Sequence, residues 1–368
     1  MYSSPFTRRA HASSMTNLET VQSANAATRA RFDLVIDVRS PGEFALDHVP
    51  GAVNLPVLDD AERAEVGTIY VQESRFKARQ VGAAHVARNV ARHLETALAG
   101  KPGSFKPLLY CWRGGMRSNA MALILSQVGW RTAVLAGGYR TYRREVMAQL
   151  YDAEPAFRAV VLDGPTGSGK TEVLQRLAAR GVQVIDLEGL AAHRGSLLGR
   201  LPGQAQPPQK LFESRLAGLL DGLDPGRPVV VEAESSKVGE IVVPPLLWRA
   251  MSAAPQIELC VGEPARARFL AEAYVHLADD PEDLAALLDR LPSRLGRRRI
   301  EAWMQLVRDG ALAKVAADLI ELHYDPAYRR SSRKQDRKLL GRIALEDLGA
   351  ADLERAAVEI EQLLATVD

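Results

Sequence analysis

No stretch of this sequence approaches the about 20 consecutive apolar residues that a helix needs to cross a bilayer, so a helical membrane protein is excluded. Cysteine is scarce as well. Cys111 and Cys260 are the only two among 368 residues, which rules out a disulfide framework and fits a reducing compartment such as the cytoplasm. Excess charge is also missing: 47 Lys and Arg stand against 45 Asp and Glu, a net charge of +2. The molecule is therefore no polycation, and any nucleic-acid surface must be local. The N-terminal residues hold no acid before Glu19 and no apolar core of the secretory kind. They are rich in Ser, Ala and Thr, resemble a transit peptide only weakly, and read over residues 1–30 as a disordered extension, with Met15 an alternative start. No internal repeat is evident.

What is present is ordinary for a globular chain, 47% hydrophobic and 25% charged residues. At about 100–200 residues per domain the length implies two domains. Strand patterns at Phe32–Arg39, Pro107–Tyr110 and Arg131–Leu135 alternate with helical spacing over residues 59–66, 72–99 and from Ser118 onward. That alternation predicts a parallel α/β domain over residues 31–151. Asp152-Ala153-Glu154-Pro155 reads as a linker. A second α/β domain, residues 156–368, has strand patterns at Ala159–Asp163, Val182–Leu187, Pro228–Glu234 and Gln256–Val261, and from Pro264 the pattern is helical to the end.

Two loops carry chemistry. In the first, Cys111 stands where a strand gives way to a helix, with Arg113, Gly114, Gly115, Arg117 and Ser118 behind it. Backbone N–H groups and the positive end of a helix converge at such a junction, which suits an anion. The same field lowers a thiol pKa from about 8.5 towards neutrality. Cys111 is thus the catalytic candidate, whereas Cys260, inside an apolar strand, reads as structural. Arg113 and above all Arg117 are candidate anion ligands, arginine being suited to bidentate binding. Asp37, Arg39 and Glu43 read as ties between loops, and His48 as a turn residue.

The second loop runs from Gly164 through Gly167, Ser168, Gly169 and Lys170 to Thr171, a full match to G-x-x-x-x-G-K-S/T between a hydrophobic strand and a helix. Its glycines let the backbone curl around phosphate, Lys170 neutralises charge, and Thr171 can hold Mg²⁺. Asp186, Glu188, His193 and Arg194 follow the next strand, and Glu232 and Glu234 close the third. Loops after strand C-termini line the crevice of such sheets, so these residues are candidates for substrate contact, with helix capping the alternative. Arg297, Arg298 and Arg299, and Arg329 and Arg330 with Arg333 and Lys334, form two basic runs that would suit a polyanion or a solvated face.

The segment Val35–Phe44, then His48-Val49-Pro50-Gly51-Ala52-Val53-Asn54-Leu55-Pro56 and Cys111, resembles a rhodanese domain. A rhodanese-like domain followed by a phosphate loop resembles the bacterial tRNA 2-selenouridine synthases. The likeness extends to Tyr110–Ser118, Asp186–Leu190 with His193–Ser196, Gln209–Glu213, Val231–Ser235 and His323–Tyr328, over about residues 31 to 330. One feature departs from common sulfurtransferases: five residues separate Cys111 from Arg117, the Cys-x5-Arg spacing of tyrosine phosphatases and their rhodanese-like relatives. A longer loop makes a wider cradle, suited to a tetrahedral group. The resemblance implies replacement of sulfur by selenium in wobble 2-thiouridine of tRNA, through S-geranylation with geranyl diphosphate and then selenation with selenophosphate. It further implies Mg²⁺ at the phosphate loop, and tRNA and the selenophosphate-producing enzyme as partners. The alternative reading is a sulfurtransferase or Cys-x5-Arg phosphatase fused to a nucleotide-binding domain.

Overall fold

Five short parallel strands build the first half of the chain in a computed structural model, which describes residues 18–196, 198–275, 281–289, 296–332 and 337–366. The chain divides into two units between Val146 and Met147. In the first, β1 (Leu18–Val21), β2 (Leu34–Asp37), β3 (Val53–Asn54), β4 (Pro107–Tyr110) and β5 (Thr132–Leu135) take the order β1-β5-β4-β2-β3. Every residue of β4 and β5 is buried. That is why they read as unbroken apolar runs rather than alternating ones, a parallel sheet being covered on both faces. Ile36, Leu109 and Val134 of the sheet pack with Met121 and Leu125 of the helix Met116–Val128.

The expected N-terminal extension is corrected by β1. It pairs with β5 from Leu18↔Thr132 to Val21↔Leu135, and Asn25 caps a turn of helix over Ala26–Arg29 by accepting from the Thr28 N–H at 2.8 Å. A four-residue edge strand with two exposed members carries too little alternation to be seen in sequence. Residues 1–17 lie outside the described residues.

The second unit holds β6 (Ala159–Asp163), β7 (Gln183–Ile185), β8 (Val229–Glu232), a small antiparallel pair β9 (Lys237–Val238) and β10 (Ile241–Val242), then β11 (Gln256–Val261) and β12 (Leu339–Leu345). The main sheet is parallel, in the order β12-β11-β6-β8-β7. β12 overturns the expectation of helix to the end. Its Leu and Ala residues are good helix formers, but pairing along the whole of β11 and packing under the helix Ala350–Leu364 override that preference. The boundary also moves. Ala148–Asp152 forms one π-helical turn of the second unit, held by Tyr151 Oη donating to Glu213 Oε1 at 2.7 Å. A separate helical cluster around Leu288, Trp303, Val307 and Ile320 follows β11 in sequence.

The C-terminal ends of β6, β7 and β8 all point to one rim. Asp163 passes there into the phosphate loop, Ile185 into Asp186, and β8 ends on Glu232. No helix among the described residues is long and apolar enough to cross a membrane.

Candidate functional site

β4 ends at Tyr110, and the loop that follows wraps its backbone around the next side chain. Cys111 is 3% exposed, and its Sγ accepts from the Gly115 N–H and from Ser118 Oγ, each at 3.2 Å. Burial pushes the thiol up. The Ser118 hydroxyl and the N–H groups of Ser118, Gly115 and Arg113 outweigh it, so the net displacement is below the ordinary thiol range. A sulfur surrounded by donors at the start of a helix is set up as a thiolate. The loop is held from behind by Gly137-Gly138-Tyr139. Gly138 has φ +59°, and a Cβ there would overlap Cys111 O, which itself accepts from the Tyr139 N–H at 2.8 Å.

The rim sorts the predicted arginines. Arg117 donates from Nη1 to Glu43 Oε2 at 2.8 Å, which orients the guanidinium through one of its three nitrogens. Glu43 thus does more than tie loops together. Burial raises its carboxyl, but Arg117 and the Ser40 N–H bring it below the usual range. Arg113 is exposed, and Gly114 and Gly115 form the turn itself. Arg39 is a structural tie, as expected: it is buried against Asp37 at 2.6 Å and donates to Asp47 O. His48 stacks on Phe44 with 3.8 Å between centroids, a turn role. Both cysteines are free.

In the second unit the predicted phosphate loop is formed. Gly167 and Gly169 take φ +80° and +75°, and a Cβ on Gly167 would strike Leu270 at 2.8 Å. Lys170 Nζ folds back onto Gly164 O at 2.9 Å. Ser168 Oγ is buried with no partner among the described residues, an unmet polar atom that suits a phosphate oxygen.

Beside the loop stands a crowd of acids. Thr171 Oγ1 donates to Glu188 Oε2 at 2.8 Å and lies 3.4 Å from Glu232 Oε2, while Glu232 Oε1 accepts from the Glu188 N–H at 2.7 Å. Glu232 is fully buried, and that burial, with the charges of Glu188 and Asp186, pushes it well above the carboxylate range. Burial and Glu188 push Glu234 up to about 7, and Glu188 is raised by burial despite Lys170 and Thr171. A threonine hydroxyl and two carboxylates converge here, a donor set that would suit Mg²⁺, with water and phosphate oxygens to complete its ligands. Asp186 serves as a helix cap, accepting from the Gly189 N–H at 2.6 Å. His193 is buried, and burial lowers its pKa.

A cavity of about 1220 Å³ opens over the loop, and its lining includes Lys170, Thr171, Asp186, Glu188, His193, Arg194 and Glu234. Part of the lining was not foreseen as a site: Trp248, Phe269, Leu270, Tyr274, Tyr324 and Tyr328 contribute an aromatic and apolar wall. Arg194 lies over the Tyr274 ring at 5.0 Å and Ser196 Oγ meets Tyr274 Oη at 3.0 Å, which fixes that wall. Arg266, 4% exposed, ties it to the loop: it donates to Thr166 O at 3.2 Å and grips Asp325 with bonds of 2.8 and 2.9 Å. The His323–Tyr328 block in the sequence was the one signal of this wall.

Arg297, Arg298 and Arg299 sit exposed in the first turn of the helix Arg297–Arg308, and Arg329 and Arg330 are exposed on the helix Asp325–Ser332. Three cations at a helix N-terminus oppose its dipole, a cost that a bound anion would relieve. Arg333 and Lys334 lie outside the described residues.

Fold and sites define a rhodanese-like domain joined to a phosphate-loop domain. A rhodanese-like domain model matches residues 19–145, and the tRNA 2-selenouridine synthase AAA domain model matches residues 157–351. A tRNA 2-selenouridine synthase of Sulfurovum sp. (strain NBC37-1) is 33% identical over 347 residues, 86% of this chain and 93% of that protein. Another, of Aeromonas salmonicida (strain A449), is 39% identical over 327 residues, 80% of this chain and 86% of that protein. The chain belongs to the tRNA 2-selenouridine synthase family, and it is an enzyme of that type.

Proposed function

We propose that this enzyme replaces the sulfur of wobble 2-thiouridine in tRNA by selenium in two steps, S-geranylation with geranyl diphosphate and then selenation with selenophosphate. The observation that carries the reading is the cavity of the second unit, lined both by a phosphate loop and by aromatic and apolar side chains. A ligand that is diphosphate at one end and hydrocarbon at the other matches both kinds of lining. Lys170 and the loop offset the charge that grows on the departing diphosphate as the thiocarbonyl sulfur takes the geranyl carbon. Mg²⁺ held by Thr171 with Glu188 or Glu232 would add further neutralisation of that charge. Alkylation turns the sulfur into a thiolate leaving group. Cys111, in its ring of donors, handles the selenium in the second displacement. The exposed arginines of the helices Arg297–Arg308 and Asp325–Ser332 are suited to tRNA phosphates.

The test is incubation with 2-thiouridine tRNA, geranyl diphosphate and selenophosphate, then digestion and nucleoside mass spectrometry. Geranylthio- and selenouridine are the expected products; ATP turnover or phosphate release with neither product would overturn the reading.

A further inference from the structure

Beside Cys111 the first unit holds an aromatic ring that its own fold leaves open. Trp112 is 38% exposed yet firmly seated. Its ring stacks on Tyr139 with 5.2 Å between centroids, and the Arg39 guanidinium lies 4.1 Å from the Tyr139 ring. Tyr139 Oη donates to Asp47 Oδ2 at 2.6 Å, and Arg39 is anchored on Asp37. A buried ion pair thus supports a stack whose last member faces outward.

Arginines stand close to that residue along the backbone. The Arg140 N–H donates to Trp112 O at 3.3 Å, and one turn further on Arg144 donates from Nε to Arg140 O and from Nη2 to Thr141 Oγ1 at 3.1 Å. Arg113, Arg140 and Arg144 are exposed and, among the described residues, in no ion pair, whereas Arg117 and Arg143 face Glu43 and Asp47. An exposed ring with exposed arginines without carboxylate partners on the adjoining backbone is a pattern that suits single-stranded nucleic acid: bases stack on the ring and phosphates meet the cations.

We propose that Trp112, with Arg113, Arg140 and Arg144, is a landing site for a single-stranded RNA loop, stacking one unpaired base beside Cys111. The proposal rests on the reading that tRNA is the substrate. An apolar chain is the rival occupant, since Met116 at the start of the following helix is 70% exposed, but hydrocarbon gains nothing from three cations without carboxylate partners.

Alkylation of Cys111 by iodoacetamide in the full-length protein, followed by peptide mass, gives a local readout. An anticodon-loop oligonucleotide seated on Trp112 shields the thiol, and its half-protecting concentration measures this site alone. Trp112→Ala should raise that concentration about tenfold, the worth of one stacked base, and Trp112→Phe should restore most of it. Arg140→Ala with Arg144→Ala should reduce the salt slope by about 1.4, at about 0.7 per phosphate. With a pre-geranylated oligonucleotide and selenophosphate, Trp112→Ala should raise KM and leave kcat within about twofold, the mark of lost ground-state binding. Protection indifferent to Trp112 would overturn the site even if the enzyme makes selenouridine. Protection by geraniol as strong as by RNA, with no salt slope, would assign the ring to an apolar chain and overturn it too. If Trp112-dependent protection persists while no selenouridine forms, the landing site stands and the reaction reading falls.

Discussion

Ser118 Oγ donates to Cys111 Sγ at 3.2 Å from the first turn of the helix that follows the cysteine loop. The serine is completely buried, so no water replaces the bond when it is removed. A hydrogen bond to a charged acceptor contributes about 1.5 kcal/mol or more, about one pKa unit. Ser118→Ala should therefore move the pH profile of Cys111 alkylation up by about one unit, with the fold intact by circular dichroism. An unmoved profile would show that the N–H groups alone set the thiol.

The acids beside the phosphate loop give a pH dependence whose sign can be worked out. Glu234 titrates at about 7 in the folded protein against 4.5 when free. The folded state then holds its proton more tightly, so this group's contribution to stability is complete below pH 4.5 and is lost as pH rises through about 7. Glu188 and Glu232 are displaced in the same direction. Melting temperature should fall between about pH 5 and pH 8, and Glu234→Gln should flatten that fall. A Glu234→Gln variant with the wild-type slope would contradict the burial of that carboxyl.

Arg266 and Asp325 join the phosphate loop to the aromatic wall. Asp325→Ala leaves a buried guanidinium unpaired, at a cost of about 3–5 kcal/mol. Thermal unfolding should show that loss. Adding Arg266→Met to that variant, which removes the buried charge as well, should recover much of the stability but still weaken protection by geranyl diphosphate. Equal stability of Asp325→Ala and wild type would mean that solvent reaches the pair.

Much of this was legible in the chain itself. The cysteine loop and the phosphate loop announce themselves because each needs glycines, a charged residue and a nucleophile or hydroxyl at fixed spacing. Strands β4, β6 and β8 are visible as buried apolar runs. What stayed hidden depends on partners far off in sequence. β12 is a strand because β11 lies beside it, and Arg117 is neutralised by Glu43 across 74 positions. The aromatic wall is assembled from Trp248, Phe269, Tyr274, Tyr324 and Tyr328, of which only the last two share a local block of sequence. Spacing identified Arg117 as a candidate anion ligand; the fold adds Glu43 as the carboxylate that holds one of its nitrogens.

The division of labour between Cys111 and Lys170 is the core of the proposed function, and one measurement addresses it directly. Cys111→Ser and Lys170→Ala are each incubated with 2-thiouridine tRNA, geranyl diphosphate and selenophosphate, and the nucleosides are weighed. The serine variant should accumulate geranylthiouridine without selenouridine, and the alanine variant should leave 2-thiouridine nearly untouched. Supplied with pre-geranylated tRNA, the alanine variant should regain selenation. Loss of both products in a folded Cys111→Ser protein, or selenouridine formed by it at the wild-type rate, would contradict the assignment.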